Sequence, residues 1–242
     1  MEMKLILGDA VEEIKKIKKK VNCIIADIPQ GITKNSWDIP FELDKLWESL
    51  KYVTNNNTPI ILMSNQPYTS ILISSNIRNY KYSWYWQKLR GRGHLNVKRQ
   101  PLRNIEEICV FYKKQCFYSP IMAKGKKCND IGKTIGTYGN NGSTYGKYKR
   151  INRTSEFKYP KQLLFFEEPH PAIYSTQKPV SLLEYLLKTY TKEGDTVLDF
   201  CMGSGTTGVA CKNLNRDFIG IDKSIKALEL ATKRIKGELN GN

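Results

Sequence analysis

The sequence predicts an α/β fold: a doubly wound, mostly parallel sheet covered by helices on both faces, with a basic region inserted into it. Three observations carry this. Short apolar runs alternate with amphipathic stretches of helical period through most of the chain. A glycine-rich turn follows one of those runs, between Phe200 and Gly208. The positive charge is concentrated in the middle third of the sequence, where the periodic pattern fails.

In chain order, residues 4–7 form a short apolar strand, and Gly8-Asp9 leads into a helix over 10–19. Residues 21–26 (VNCIIA) are apolar apart from Asn22, the pattern of a strand buried on both faces. A helix over 42–53 places Leu43, Leu46, Trp47 and Leu50 on one stripe, and three asparagines at 55–57 end it in a loop. Residues 59–63 return as a buried strand. A helix over 67–75 then leads to an aromatic strand at 80–86, and a further strand follows at 105–112. Between Met122 and Lys158 the composition turns to Gly, Asn, Ser, Thr, Tyr and Lys without apolar period, which predicts a long basic loop that orders on its partner. Order resumes with a helix over 179–190 and a strand at 196–200, whose glycine turn opens a helix reaching Asn213. A strand at 217–221 and a helix over 223–236 complete the pattern, with no internal repeat.

The chain has 242 residues, of which 40% are hydrophobic, enough to bury a large core and to exclude wholesale disorder. No apolar stretch is long enough to span a bilayer, and Met1-Glu2-Met3-Lys4 lacks the features of a secretory signal. A cytoplasmic protein without a membrane partner is expected. The six cysteines include no C-x-x-C pair and the two histidines lie far apart, so neither a zinc site nor a disulfide framework is expected. Nothing in the residues decides between a monomer and a homodimer.

The formal charge is +16. Residues 87–162 hold eighteen Lys or Arg against four acids, whereas the rest of the chain holds 21 bases and 19 acids. Solvated surfaces normally mix signs, so this segregation points to a polyanion partner, because clustered cations displace counterions from a phosphate backbone.

The run from Thr196 to Gly208 (TVLDFCMGSGTTG) reads as strand, turn and helix start, and it satisfies G-x-G-x-x-G. Asp222 ends the next strand, nineteen positions after Gly203, and is placed to hold ribose hydroxyls. A dinucleotide site is the obvious rival. Asp199 argues against it: a carboxylate just before the turn would repel a pyrophosphate but suits a cation such as the α-ammonium of S-adenosylmethionine. The alternative role for Asp199 is to cap the turn.

With these residues in hand, the chain resembles the amino-methyltransferases that modify DNA, in the permuted arrangement whose catalytic motif precedes the cofactor motif. It is most similar to small phage- and prophage-type adenine enzymes, and the likeness runs through nearly the whole sequence. Asp27-Ile28-Pro29-Gln30 stands where the family has D-P-P-Y, and Ser175-Thr176-Gln177-Lys178-Pro179 resembles the segment before the cofactor strand. Leu198 to Thr207 resembles L-D-P-F-x-G-S-G-T-T, while residues 96–103 (NVKRQPLR) and 109–113 (CVFYK) resemble further recurring segments.

The resemblance implies a Rossmann-like S-adenosylmethionine-dependent methyltransferase fold and double-stranded DNA as partner. It also implies direct transfer without metal to the N6 amino group of a flipped adenine. Asp27 and the Ile28 carbonyl would accept hydrogen bonds from that group. Lys178, Asp199, Phe200, Cys201, Gly203, Ser204, Gly205, Thr206 and Asp222 would line the cofactor site, with Lys178 steadying its carboxylate. Aspartate at position 27 favours adenine, since the related N4-cytosine enzymes commonly carry serine there.

Two departures matter. Ile28 replaces the first proline of the tetrapeptide, and Gln30 replaces the aromatic on which the base would stack, an interaction worth about 1–3 kcal/mol. Gln30 could offer its amide to a base edge, and Trp37 or Tyr68 could supply a ring. The alternatives are a DNA- and cofactor-binding protein with weakened chemistry, or an N4-cytosine enzyme. Phe200-Cys201 also replaces Pro-Phe in the cofactor motif. The expected division is a catalytic and cofactor domain at 1–88 and 162–242, with DNA target recognition at 89–161. There Arg90, Arg92, Lys98, Arg99 and Arg103, with Lys88 at its edge, would contact DNA.

Overall fold

The computed structural model describes residues 1–129, 154–174 and 176–239. It divides into two compact units, residues 1–119 with 162–242, and residues 120–161.

In the larger unit, β1 (Met3–Leu7) is followed by α1 (Ala10–Lys16), β2 (Cys23–Asp27), α2 (Leu43–Lys51) and β3 (Ile60–Ser64). Next come α3 (Tyr68–Ser75), β4 (Tyr80–Arg92) and β5 (Arg103–Phe111). The smaller unit contributes β6 (Ala123–Asn129) and β7 (Thr154–Lys158), after which the chain rejoins the first at β8 (Leu163–Phe165). Last are α4 (Val180–Tyr190), β9 (Thr196–Asp199), α5 (Thr206–Asn213), β10 (Asp217–Asp222) and α6 (Ile225–Lys236).

The eight-stranded sheet has the order β1-β10-β9-β2-β3-β5-β4-β8. Its neighbours pair in parallel except at β5, which is antiparallel to both β3 and β4. Strand alternation sorts the core into two layers. Ile25, Ile61, Ile108 and Val197 pack with α4, α5 and α6, while Ile24, Leu62, Cys109 and Leu198 pack with α1, α2 and α3.

From β9 the chain crosses through α5 to β10, whereas from β2 it crosses through α2 to β3 on the other side. The boundary between β9 and β2 is therefore the topological switch point, where an open α/β sheet leaves a crevice beyond its carboxyl ends. Asp199 ends β9 and Asp27 ends β2, one on each side of that crevice.

The structure corrects the sequence reading in four places. β4 runs to Arg92 instead of 86, because β5 continues to pair with it as far as Arg92 opposite Arg103. Residues 123–129 and 154–158, expected within a long loop, form an antiparallel pair with a register irregularity after Lys124. This strand pairing needs only backbone groups, so no apolar period announces it. The three-residue β8 is too short to show periodicity. Residues 89–119, expected with the basic region, belong to the sheet body, and the smaller unit begins at Pro120. The rest of the expected basic loop, 130–153, lies outside the described residues, as does Ser175. Among the described residues no helix is long and apolar enough to cross a membrane.

Candidate active site

A cavity of about 860 Å³ opens along the carboxyl ends of the strands, within the usual range for ligand sites. The Asp27–Gln30 segment, the Asp199–Thr207 turn, Asp222 and Lys178 all contribute to its wall.

The turn after β9 is held from three sides. Asp199 accepts the Cys201 N–H at 3.0 Å and the Thr207 hydroxyl at 2.6 Å, so its turn-capping role is present. Asp222 accepts the Gly203 N–H at 2.9 Å and the Ser224 N–H at 2.8 Å, tying the ends of β9 and β10 together. Arg234, on the buried stripe of α6 with Ala227 and Ala231, donates to the Ser204 carbonyl, the Ser204 hydroxyl and the Thr206 hydroxyl at 2.8–3.0 Å. A cation on an apolar helix stripe was the available sequence signal for this clamp, and the motif reading passed over it. Gly203 and Gly205 both take positive φ, +49° and +75°.

Phe200 is buried and meets Phe41 edge-to-face with centroids 5.9 Å apart, while Cys201 is partly exposed. Burial pushes the Asp199 carboxyl up to about 7, against the opposing bonds from Thr207 and Cys201, with Asp27 and Asp222 adding to the rise. A buried carboxylate of this kind gains most from a cationic ligand. Glycines without side chains, a second acceptor carboxylate in Asp222 and an aromatic wall fit a cationic nucleoside ligand.

On the other side of the switch point, Asp38 organises the segment after Asp27. It accepts the N–H groups of Gln30 and Gly31 on Oδ1 at 2.7 and 2.9 Å, and that of Thr33 on Oδ2 at 2.7 Å. Burial opposes its charge, but these donors hold its carboxyl below the ordinary value. Replacing Asp38 by alanine is expected to cost about 3 kcal/mol, since charge-assisted bonds contribute about 1.5–3 kcal/mol each but share one carboxylate. Urea denaturation measures this. A depressed folded-state pKa means that Asp38 stabilises the fold above its unfolded-state pKa, and that this contribution is lost as pH falls through the folded one. The wild-type-to-alanine gap therefore closes in acid; a gap independent of pH would refute the assignment.

Gln30 is buried, and its side-chain oxygen accepts the Asn65 backbone N–H at 2.8 Å. Its amide oxygen is thus engaged within the protein, which leaves only the NH2 group for a base edge. Of the two rings considered as replacements, Trp37 lines the cavity and is 41% exposed. Tyr68, the first residue of α3, is buried in the core and does not line the cavity.

Two lysines of the cavity wall are paired with protein carboxylates. Lys178 Nζ is 2.6 Å from Asp27 Oδ2 and 2.9 Å from Glu106 Oε1, so its ammonium faces two protein carboxylates. Lys88, expected on the DNA-facing surface, is drawn inward to Glu106 Oε2 at 2.7 Å and lies over the Trp86 ring at 4.9 Å. Sequence reasoning missed Glu106 altogether. Of the remaining basic candidates, Arg90, Lys98, Arg99 and Arg103 are exposed, as is Arg92, which pairs with Glu168 at 2.6 Å. β4 runs parallel to β3, so its Arg90–Arg92 end lies on the same sheet edge as Asp27. Among the described residues no cluster of three or more His, Cys, Asp or Glu could hold a metal ion, and Cys23, Cys109, Cys116, Cys201 and Cys211 are free thiols.

The family model for N6/N4 methyltransferases, described as DNA methylase, matches residues 11–233. The chain belongs to this DNA methylase family. The Type II methyltransferase M.HpaI of Haemophilus parainfluenzae is 25% identical over all of this chain and 76% of its own length. A solved complex of M1.HpyAVI with SAM superposes with a TM-score of 0.64 at 26% identity, covering 96% of this chain and 99% of that one. The cytosine-N4-specific PvuII DNA methyltransferase has a TM-score of 0.68 at 13% identity, covering 100% of this chain and 88% of its own, a likeness of fold alone. The N6/N4 family takes in both adenine and cytosine chemistry, so membership makes this chain a DNA methyltransferase without choosing the base.

Proposed function

We propose that this DNA methyltransferase transfers a methyl group from S-adenosylmethionine to N6 of adenine in double-stranded DNA, in the cytoplasm. The observation that carries the reading is the placement of Asp27 and Asp199 at adjoining strand ends on the wall of one cavity. Asp199 would receive the cofactor's ammonium and Asp222 its ribose hydroxyls. Phe200 and Cys201 would flank its adenine, and the Gly203–Thr206 backbone would approach it closely. When bound, the cofactor supplies a methyl group on an already activated sulfonium.

The target amino group is unreachable within a stacked duplex, so the base must be flipped into the cavity. There the Asp27 carboxylate and the Ile28 carbonyl accept hydrogen bonds from its two N–H groups and raise electron density on the nitrogen, which gives up one of those protons to solvent once the methyl group is in place. Pro29 stiffens the segment, and Asp38 and Asn65 fix Gln30 behind it. Arg90, Lys98, Arg99 and Arg103 would hold phosphates, with residues 120–161 contributing to target recognition. Aspartate at position 27, where N4-cytosine relatives commonly carry serine, supports adenine.

Incubation with unmethylated genomic DNA and isotope-labelled S-adenosylmethionine, followed by mass spectrometry of the nucleosides, tests this. Labelled N6-methyladenine is expected. Label on cytosine N4 would overturn the base assignment. Binding of cofactor and DNA without label would make Gln30 the mark of a silenced site.

The elevated Asp199 carboxyl gives a pH prediction. A proton competes with the cofactor's ammonium below about pH 7, so affinity is expected to fall about tenfold per pH unit beneath that point and to level off above it. Calorimetric titration between pH 5.5 and 8 checks this, and a flat profile would remove Asp199 from the ammonium site.

A further inference from the structure

Glu106 is 2% exposed and shares the inward face of β5 with Ile108 and Val110, in the alternation that should carry apolar residues only. Lys88 stands likewise on the face of β4 that carries Trp84 and Trp86. Burying a carboxylate is costly unless it is paired, so its presence there calls for a reason beyond packing. The pairs form one chain of alternating charge. Lys88 meets Glu106 at 2.7 Å, Glu106 meets Lys178 at 2.9 Å, and Lys178 meets Asp27 at 2.6 Å. Two ammoniums and two carboxylates sum to zero, and all four residues line the cavity.

We infer that Glu106, held by Lys88, is a positioning residue for the catalytic carboxylate: it shares the Lys178 ammonium and so governs how strongly Lys178 engages Asp27. This rests on the role given to Asp27 above. An ammonium committed wholly to Asp27 would occupy its lone pairs and draw electron density from the acceptor that must receive the base's amino hydrogens. Shared between two carboxylates, the same ammonium fixes the orientation of Asp27 and leaves it a stronger acceptor. Lys88 balances Glu106 from the opposite side, so that Glu106 does not pull Lys178 away.

The electrostatics agree. Burial pushes the Asp27 carboxyl up and Lys178 opposes it, with Glu106 adding to the rise and Lys88 opposing it, for a net raised value. Burial works against the charge of Glu106, yet Lys178 and Lys88 bring it below the ordinary range. Asp199 also faces Asp27, from β9, and is untouched by the variants below.

The test titrates Asp27 by carbon-13 NMR of carboxyl-labelled aspartate, with Asp27→Asn assigning the signal. In Glu106→Gln the midpoint is expected to fall by about one unit, as loss of a nearby like charge requires. In Lys88→Gln it is expected to rise. General loosening of the core would not move one group in opposite directions. If Glu106→Gln fails to fold, the double variant Lys88→Gln/Glu106→Gln keeps the network neutral and is expected to retain the downward shift, Glu106 being the stronger influence. At saturating cofactor, kcat in Glu106→Gln is expected to fall up to about a hundredfold. KM for DNA should stay nearly constant, and the acid limb of the kcat profile should follow the NMR midpoint. Midpoints unmoved in folded variants, or moved the same way in both, would overturn the inference even if wild type methylates DNA. Opposite shifts in the two variants, with no transferase activity in wild type, would sustain the coupling and sink the functional reading instead.

Discussion

Replacing Asp27 by alanine is expected to lower the methylation rate about a thousandfold, the scale seen when one preorganised hydrogen-bonding group is removed from a reacting centre. The amino nitrogen of a nucleobase is a weak nucleophile because its lone pair is delocalised into the ring. On the function proposed above, the Asp27 carboxylate and the Ile28 carbonyl are the acceptors that oppose that delocalisation. Cofactor affinity should change little, because Asp199, Asp222 and the glycine turn lie on the other side of the switch point. Asp27→Asn is the sharper variant. It keeps the shape and one acceptor oxygen but removes the charge that pairs with Lys178 at 2.6 Å. Parallel measurement of kcat and cofactor Kd checks the split. A fall in Kd-limited affinity with kcat intact would place Asp27 in the cofactor site.

The second large effect falls on the fold. A side chain at Gly205 would place its Cβ 2.7 Å from the Ala231 Cβ and 3.0 Å from the Ala231 Cα, and the residue sits at φ +75°. Both contacts are to Ala231 of α6, whose Cα and Cβ move only with the helix backbone and cannot yield as the end of a flexible side chain would. The left-handed backbone costs about 1–2 kcal/mol for a residue with a Cβ, and overpacking adds about 1–3 kcal/mol. Gly205→Ala is therefore expected to lose about 2–5 kcal/mol and, by parting α5 from α6, to disturb the Arg234 clamp on Ser204 and Thr206. Gly203→Ala is the control. Its Cβ would meet only Tyr174 at 3.5 Å, so the backbone term alone applies. Thermal or urea denaturation of the two variants should rank them in that order, and equal losses would contradict the packing argument.

Much of the fold was legible because parallel strands buried on both faces leave unbroken apolar runs, as in Val21–Ala26, and because glycine turns and helix stripes have fixed periods. The strands 123–129 and 154–158 were not legible, since backbone pairing needs no apolar period in the sequence. The two acidic strand ends were readable as a pair of motifs, and the structure sets them on one cavity wall. What the motifs could not supply was the pairing across the sheet. Lys88 and Lys178 look like free cations in sequence, and only the register of β4 against β5 and the entry into α4 bring both to Glu106. The signal was nonetheless present, in a charged residue at a strand position whose i+2 and i+4 neighbours, Ile108 and Val110, are apolar. Gln30 shows the same limit in reverse: its identity suggested contact with a base, whereas its oxygen is bound to Asn65.

On the proposed function, cofactor and target meet in the crevice between β9 and β2. Hydrogen–deuterium exchange of the full chain, with and without S-adenosylmethionine, addresses it most directly. Slowed exchange is expected in the turn at 200–207 and at the end of β10 around Asp222, with β6 and β7 unchanged. Protection confined to other segments, with none at 200–207, would place the cofactor outside this crevice.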